Sequence, residues 1–232
     1  MSIPVLALPI LNRYDLAYRM LETIDYPVEL LYVVDNGGEW SEGDVPMDFI
    51  ENAHVCDPGA NLGWGPALNL TFKANLHAPW WFFVNSDVEF APGALAKAAE
   101  AIWGDPGPAV VMLAGFSAFG VNDKAIEKVG FFDESYHPCY CEDSDWHARA
   151  ERVGGVTFHE PKTGTLHVEG GSVTIKVAGT RNSTTYPRNV AFHREKWGGD
   201  PWSEKYPTPW DQGGDPSVTT APKLSRLRSL AW

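Results

Sequence analysis

Short apolar runs alternate with segments of helical periodicity along the chain, and this alternation limits the possible folds more than any other feature. Four strands are predicted, at residues 5–8, 30–34, 80–84 and 109–113. Apolar residues recur every three or four positions between or after these runs, at Leu16, Met20 and Ile24; Leu68, Phe72 and Leu76; and Leu95, Ala99 and Ile102. Alternating strands and helices form a mostly parallel, twisted, Rossmann-like sheet with helices on both faces. We therefore expect an α/β fold with its ligand at the carboxyl ends of the strands.

The length of 232 residues and the 44% hydrophobic content predict one domain with a substantial core. We place this domain at residues 1–199. Residues 200–232 are predicted to form an extension rich in Pro, Gly and Trp. Its basic end, 223–232, has apolar positions at helical spacing. This end is interpreted as an amphipathic helix that touches a membrane or a partner subunit, or as a plain surface tail.

The charge balance argues against a nucleic-acid-binding protein. The chain has 30 acidic and 18 basic residues, which give a net charge of −12, whereas binding to a phosphate backbone depends on clustered Lys and Arg. No window is long and apolar enough to span a membrane, and no secretory signal precedes the first strand, so a cytoplasmic location is expected. The three cysteines are predicted to be reduced thiols.

Polar residues follow three of the predicted strands and are the first candidates for ligand contact. They are Asn12 and Arg13, Asp35 and Asn36, and the segment 85–89. Alternation along the last segment predicts that Asp87 and Glu89 share one side. A hard divalent ion such as Mg²⁺ or Mn²⁺ prefers oxygen ligands and is often held by one or two carboxylates together with substrate phosphates. A solvated turn is the alternative interpretation of this segment.

Two later segments also carry chemistry. Glu142, Asp143 and Asp145 occupy the first turn of a predicted helix, where the helix dipole favours negative charge. Three acids exceed what capping requires, and a carboxylate beside a bound acceptor can remove the proton of its hydroxyl. His167 precedes the glycine pair 170–171, which allows close approach of the backbone to a ligand.

The segments 130–134 and 142–146, followed by Arg149, read G-F-F-D-E, E-D-S-D-W and R. They resemble the G-x-F-D-E…E-D-x-D…R signature of the family 2 inverting glycosyltransferases, which have the GT-A fold. The resemblance runs from about residue 4 to residue 172. The family's metal-binding D-x-D motif is similar to Asn85-Ser86-Asp87 here, with an amide in place of the first acid, as in the family's rhamnosyltransferase-like branch.

The resemblance implies a function and a set of roles. The chain is expected to transfer a sugar from a nucleotide diphosphate sugar, UDP favoured, to an acceptor hydroxyl with inversion. Asp143 is the implied general base, with Glu142 beside it. Asp87 and His167 are implied ligands of Mn²⁺ or Mg²⁺ on the diphosphate, with Glu89 as a further candidate. The implied donor-binding residues are Pro9, Asn12, Arg13, Asp35, Asn36, Asn61, Gly63, Asn69, Asn85 and Ser86, of which Asp35 contacts the base.

The acceptor is less constrained than the donor. A glycan, a lipid-linked sugar, a small molecule and a protein side chain all remain open, as does a homo-oligomeric state. Trp64 and Trp146 are predicted to stack on an acceptor sugar, and Trp197 and Trp202 are further candidates for stacking. Packing in the core is the alternative interpretation and is expected for most of these tryptophans.

Other nucleotide-dependent classes fit the sequence poorly. No G-x-G-x-x-G follows the first strand, which argues against a dehydrogenase, and no P-loop is present. The remaining alternative is a nucleotide-sugar or carbohydrate-binding protein that has the fold without turnover, which the amide at Asn85 suggests.

Overall fold

A computed structural model describes residues 1–40, 45–46, 48–168, 180–217 and 223–230. The strands in this part of the chain are β1 Ile3–Ile10, β2 Val28–Asp35, β3 Ile50–Cys56, β4 Trp80–Val84, β5 Val88–Glu89, β6 Ala109–Met112, β7 Ala118–Asn122, β8 Thr157–His159 and β9 Leu166–His167. The helices are α1 Tyr14–Glu22, α2 Trp64–Ala74, α3 Ala94–Gly104, α4 Asp123–Val129, α5 Glu142–Val153, α6 Thr180–Trp197 and α7 Leu224–Leu230. The predicted glycine pair after His167 lies outside the described residues.

The main sheet has seven strands in the order β3-β2-β1-β4-β7-β6-β8. Strand β7 pairs antiparallel with both β4 and β6, while the other pairings are parallel. A mostly parallel sheet confirms the predicted fold class. Three strands of this sheet, β3, β7 and β8, were not predicted. Strand β3 reads Ile-Glu-Asn-Ala-His-Val-Cys, has three exposed residues at the edge of the sheet, and therefore lacks a continuous apolar run.

The central strands are apolar throughout because both faces of the sheet are covered. Side chains alternate between the faces of a strand. Trp80, Phe82 and Val84 of β4 pack into one core layer together with α1 and α3. Trp81 and Phe83 pack into the opposite layer, with residues from α2, α4 and α5. This arrangement is typical of a parallel sheet buried on both sides.

The C-terminal residues pack onto the rest of the domain. Arg152 of α5 donates hydrogen bonds to the backbone carbonyls of Glu204 and Tyr206. Leu224 of α7 is buried in the core layer of α2 and α4, and Arg228 donates to the Leu76 and Ala78 carbonyls. Leu224 and Leu227 of α7 therefore pack on this chain itself, and the predicted contact of this segment with a membrane or a partner subunit stays a prediction. No helix in the described part combines the length and apolar character needed to cross a membrane.

Candidate active site

A cavity of about 1030 Å³ opens where β1, β2 and β4 end, at the edge of the sheet that the sequence predicted. Its volume is at the upper end of the range for small-molecule sites. Its lining includes most of the predicted site residues: Pro9, Asn12, Asn36, Asn61, Gly63, Trp64, Asn85, Ser86, Asp87, Glu142, Asp143 and His167. The predicted donor, metal and general-base residues thus converge on one space, although they are separated by up to 158 positions in sequence.

The loops after β1 and β2 approach each other closely on one side of the cavity. A Cβ atom on Gly37 would lie 2.2 Å from the Leu11 carbonyl oxygen, so no larger residue fits. Gly63 has a φ of +88° and its Cβ would lie 2.4 Å from the Pro138 oxygen. Asn36 joins the loop after β2 to the connection between β3 and α2, because its Oδ1 accepts a hydrogen bond from the Leu62 N–H at 2.9 Å. Backbone contacts therefore shape this wall.

Asp87 and His167 lie side by side in the cavity lining. Strands β5 and β9 pair antiparallel, with Val88 opposite His167, and the Val168 N–H donates to the Asp87 carbonyl at 2.7 Å. Asp87 Oδ1 and His167 Nε2 are 3.0 Å apart. The pairing of two short strands thus joins two side chains that are 80 positions apart in sequence.

This pair fits a divalent cation as two neighbouring ligands. Ligands at the metal–oxygen distances typical of Mg²⁺ are about 3 Å apart when they are adjacent in an octahedron, close to the separation of Asp87 Oδ1 and His167 Nε2. No group of three His, Cys, Asp or Glu side chains among the described residues is arranged to enclose a metal. A cation held here would therefore take its other ligands from a bound molecule or water, as is common for Mg²⁺ on phosphates.

The charge of the cavity also favours a cation. Asp87, Glu142 and Asp143 line it, and no Lys or Arg is among the lining residues that the structure describes. A diphosphate that enters this space meets like charges, which repel it. A divalent ion held by Asp87 and His167 would reduce that repulsion.

Glu142 and Asp143 begin α5 and border the cavity. Burial, together with the neighbouring charge of Asp143, raises the pKa of Glu142 well above its ordinary value. Burial also raises the pKa of Asp143, against the opposing effect of the Ser144 N–H, which donates to Asp143 Oδ1 at 2.8 Å. Glu142 Oε2 and Asn85 Oδ1 are buried and have no hydrogen-bond partner in the described part of the chain. Buried polar atoms without partners at a cavity wall are positioned to meet a ligand.

The segment before α5 has a strained backbone that a buried amide stabilises. Tyr140 and Cys141 have φ values of 80° and 73°, which are unfavourable for residues with a Cβ. Asn189 of α6 is 1% exposed, and its Nδ2 donates to the carbonyls of Tyr136, Cys139 and Tyr140 at 2.9, 2.8 and 3.2 Å. Asn189 therefore holds the chain in the conformation that presents Glu142 and Asp143.

Asp145 holds the first turn of α5 in place from its buried side. It is 0% exposed, and it accepts hydrogen bonds from Arg149 Nε at 2.9 Å and from Trp197 Nε1 at 2.8 Å. Lys196 Nζ lies 2.5 Å from Asp145 Oδ1 and 2.7 Å from Asp133 Oδ2. Burial acts against the ionised form, but the Lys196 and Arg149 charges prevail and lower the pKa of Asp145 to about 2. The signature acids thus have different environments: Asp145 is structural, whereas Glu142 and Asp143 face the cavity.

Asp35 lies at the end of β2 but does not line the cavity, and it is 2% exposed. Its Oδ1 accepts from the Tyr14 hydroxyl at 2.6 Å and from the Gly37 N–H, and its Oδ2 accepts from the Trp40 N–H at 2.7 Å. Burial disfavours its charge, yet these donors lower its pKa below the ordinary value. Asp35 therefore orders the loop that carries Asn36 and Gly37.

Two predicted contacts require correction. Asn69 is 0% exposed, and its side chain exchanges hydrogen bonds with the backbone of Phe132 at 2.9 and 3.0 Å, so it joins α2 to the G-F-F-D-E segment instead of facing a donor. Trp146 is 1% exposed, stacks on Phe132 and donates to the Gly130 carbonyl at 2.9 Å. It lies on the apolar side of α5, in the core, and is closed to an acceptor.

Two further residues lie beside the cavity instead of in its lining. Arg13 caps α1 in a left-handed conformation and pairs with Asp15 at 2.8 Å. Glu89 pairs with Arg19 and does not join Asp87. The expected alternation failed here because Ser86 and Asp87 form a turn before β5 begins, and side chains alternate regularly only within a strand.

The prediction missed part of the lining. Phe116 and Ser117 come from the connection between β6 and β7, and Thr184 and Thr185 come from α6. These residues belong to no recognisable motif. Only the antiparallel placement of β7 and the packing of α6 bring them to the site.

Comparison with known proteins supports the fold. No family model matches the sequence, and no curated protein matches it. Solved structures do match. The mannosyltransferase PcManGT from Pyrobaculum calidifontis, in complex with GDP-Man and Mn²⁺, has a TM-score of 0.50 at 17% identity over 68% of this chain and 54% of that chain. Glucosyl-3-phosphoglycerate synthase from Mycobacterium tuberculosis, in complex with Mn²⁺, UDP and glucosyl-3-phosphoglycerate, has a TM-score of 0.55 at 13% identity over 81% of this chain and 80% of that chain.

A third match is TarS 1–349 from S. aureus in complex with UDP-GlcNAc, with a TM-score of 0.51 at 15% identity over 75% of this chain and 62% of that chain. The chain therefore spans less than two thirds of the mannosyltransferase and of TarS 1–349, and 80% of the synthase. At these identities the likeness defines the fold. The chain has the GT-A fold of these glycosyltransferases.

Proposed function

We propose that the chain is an inverting glycosyltransferase that moves a sugar from a nucleotide diphosphate sugar to an acceptor hydroxyl. The observation that carries this proposal is the convergence of Asp87, His167 and Asp143 on one cavity at the carboxyl edge of the sheet. A cation-binding pair and a base in the same space are the two groups that such a transfer needs.

Each lining group has a proposed task in the transfer. Asp87 and His167 would hold a divalent ion, which would supply counter-charge for the diphosphate. Asp143 accepts the proton of the acceptor hydroxyl as its oxygen forms a bond to the anomeric carbon. The bond between that carbon and the diphosphate oxygen breaks on the opposite side, so the configuration inverts and the nucleoside diphosphate leaves. Glu142, whose raised pKa favours the protonated acid, donates a hydrogen bond into the cavity.

The nucleoside part of the donor is proposed to lie against the wall formed by the segments that follow β1, β2 and β3. Pro9, Asn12, Asn36, Asn61 and Gly63 line this wall. Asp35 contributes by holding the loop in place, because both of its oxygens already accept hydrogen bonds from the chain. UDP sugars come first among the donors to test, because two of the three matched structures described above contain UDP or a UDP sugar.

The remaining donor-side and acceptor-side residues also have proposed places. Asn85 and Ser86 are assigned to the diphosphate, beside Asp87 in the same turn. Trp64 lines the cavity at the start of α2 and is the proposed contact for an acceptor sugar. We propose the domain boundary near residue 199, with the C-terminal segment packed on α5 and α4.

The proposal is tested by calorimetry and a donor-hydrolysis assay with a panel of UDP and GDP sugars, with and without Mn²⁺. The unchanged chain is expected to bind one donor more tightly with Mn²⁺ and to release its nucleoside diphosphate. Asp87→Ala is expected to abolish the effect of Mn²⁺ on donor binding. Asp123→Ala, which removes a carboxylate on α4 outside the cavity, is the matched control and should retain it.

Each outcome has a distinct meaning. If a chelator leaves donor binding unchanged, the metal site is refuted. If donors bind but no nucleoside diphosphate is released with any acceptor, the non-catalytic binding protein becomes the better interpretation. If no nucleotide sugar binds, the proposed function is wrong.

A further inference from the structure

Trp202 stands out among the exposed aromatic residues because it lies next to the cavity. Its side chain is 55% exposed. Its ring centroid is 6.1 Å from that of Phe116, and Phe116 is a cavity-lining residue that is itself buried. The ring of His147 is 5.3 Å from Trp202 and 6.5 Å from Phe116. The three rings form one aromatic cluster at the rim of the cavity, and we call it the rim cluster.

The rim cluster is on the side of the cavity where Asp143 lies. His147 follows Asp143 by four positions on α5, and residues at this spacing share a face of a helix, with Cβ atoms about 6 Å apart. A molecule whose hydroxyl reaches Asp143 can therefore extend over His147 to Trp202.

Trp202 is held in place before any ligand binds. Its backbone has a φ of 67°, a left-handed conformation that a tryptophan adopts only when neighbouring groups impose it. The Trp202 N–H donates to Glu204 Oε1 at 2.8 Å, and the same oxygen is 2.8 Å from His193 Nε2 of α6. His193 is 0% exposed. A buried network thus fixes the segment that presents an indole to solvent, and a preorganised aromatic surface loses little entropy when it binds a ligand.

The surroundings of Trp202 decide which chemical class fits. A pyranose ring has one face of C–H groups and a rim of hydroxyls, so it matches a single exposed indole bordered by polar groups. His147 lies near Glu151, with Nδ1 and Oε2 3.7 Å apart, and Glu204 accepts a hydrogen bond from the backbone N–H of Trp202 itself. A lipid chain needs a continuous apolar path instead, and these charged neighbours interrupt it.

We infer that the rim cluster is an acceptor subsite that stacks a sugar residue of a saccharide on Trp202, with an adjoining residue of the same saccharide at Asp143. This inference rests on the proposed function and specifies the acceptor: an oligosaccharide or glycan, in preference to a lipid, a peptide or a single sugar. It also gives the C-terminal segment a binding role.

The test uses the whole chain and a glycan array, read with and without UDP and Mn²⁺, followed by titration of the best oligosaccharide in solution. Trp202→Ala is expected to raise the Kd for that oligosaccharide at least tenfold, which corresponds to ~1.4 kcal/mol, and Trp202→Phe is expected to recover most of the affinity. Trp103→Ala is the matched control, because Trp103 is 42% exposed on α3, which packs on the opposite face of the sheet. Melting temperatures of all variants separate loss of binding from loss of folding.

Several outcomes overturn the inference. Equal affinity of Trp202→Ala and the unchanged chain for the oligosaccharide does so, as does transfer to a lipid or peptide in the absence of any glycan binding. Donor hydrolysis without glycan binding refutes the subsite and leaves the proposed function intact. Glycan binding that depends on Trp202, in a chain that binds no nucleotide sugar, supports the subsite and refutes the proposed function.

Discussion

Removing the charge of Asp145 should destabilise the fold strongly, although its side chain does not reach the cavity. Asp145→Asn leaves two cations, Lys196 and Arg149, without their common carboxylate in a fully buried place. Lys196 keeps Asp133, and Arg149 keeps two backbone carbonyls, so both retain other partners. Breaking a buried ion pair from one side typically costs about 3–5 kcal/mol.

The pKa of Asp145 gives a second measure of the same interaction. The difference between its ordinary value of 3.8 and its value of about 2 in the fold corresponds to about 2 kcal/mol. We therefore expect Asp145→Asn to lower the free energy of unfolding at pH 7 by roughly 3 kcal/mol, between the two estimates. For a chain of this size that loss lowers the Tm by about 6–12 °C.

The assay is thermal unfolding of both proteins, followed by circular dichroism from pH 7 to pH 2. Because folding lowers the pKa of Asp145, its stabilising contribution is complete above the ordinary value of 3.8 and is lost as the pH falls towards 2. The Tm difference between the two proteins should therefore shrink over that interval. Asp123→Asn is the control, because its pair with Arg228 is partly exposed, at 3.0 Å, and should contribute less than about 1 kcal/mol. Equal Tm losses in the two variants would refute this reasoning.

Three further predictions concern the N-terminal end of α5. Asp143→Asn should keep donor affinity and lower turnover by about 10²–10⁴, and unchanged turnover in this variant would remove Asp143 from the role of base. In the unchanged chain, turnover should fall as the pH decreases, with a midpoint above the ordinary Asp pKa of 3.8, because burial raises the pKa of this base. Glu142→Gln should raise the Tm at pH 8 and not near pH 4, because a raised pKa costs stability as the pH rises through it; a Tm gain that is independent of pH would contradict this account. Asn189→Ala should lower the free energy of unfolding by ~2 kcal/mol and reduce kcat more than donor affinity, since it releases the segment before α5. Equal losses of kcat and of donor affinity would indicate a purely structural role.

The sequence pattern within a few residues was sufficient to predict those elements in which all the residues have similar environments. The run 80–84 was predicted with the bounds that the strand has, because a strand buried on both faces must be apolar throughout. The acids at the start of α5 were predicted as a group because a helix N-terminus favours negative charge. The apolar stripe of Trp146 and Ala150 also indicated the core side of that helix, and following it would have excluded Trp146 from the acceptor site.

Tertiary structure decided how distant side chains meet, although the family resemblance had already implied that Asp87 and His167 share one metal. His167 reaches Asp87 through the β5–β9 pairing, and Phe116 and Trp202 come together although they are distant in sequence. Such contacts depend on strand order, and strand order depends on packing free energies summed over the whole domain. A pattern within a few residues reports which side of an element is apolar, because that is a local property of the backbone. It carries no information on which distant element will cover that side, and therefore none on which side chains will share a cavity.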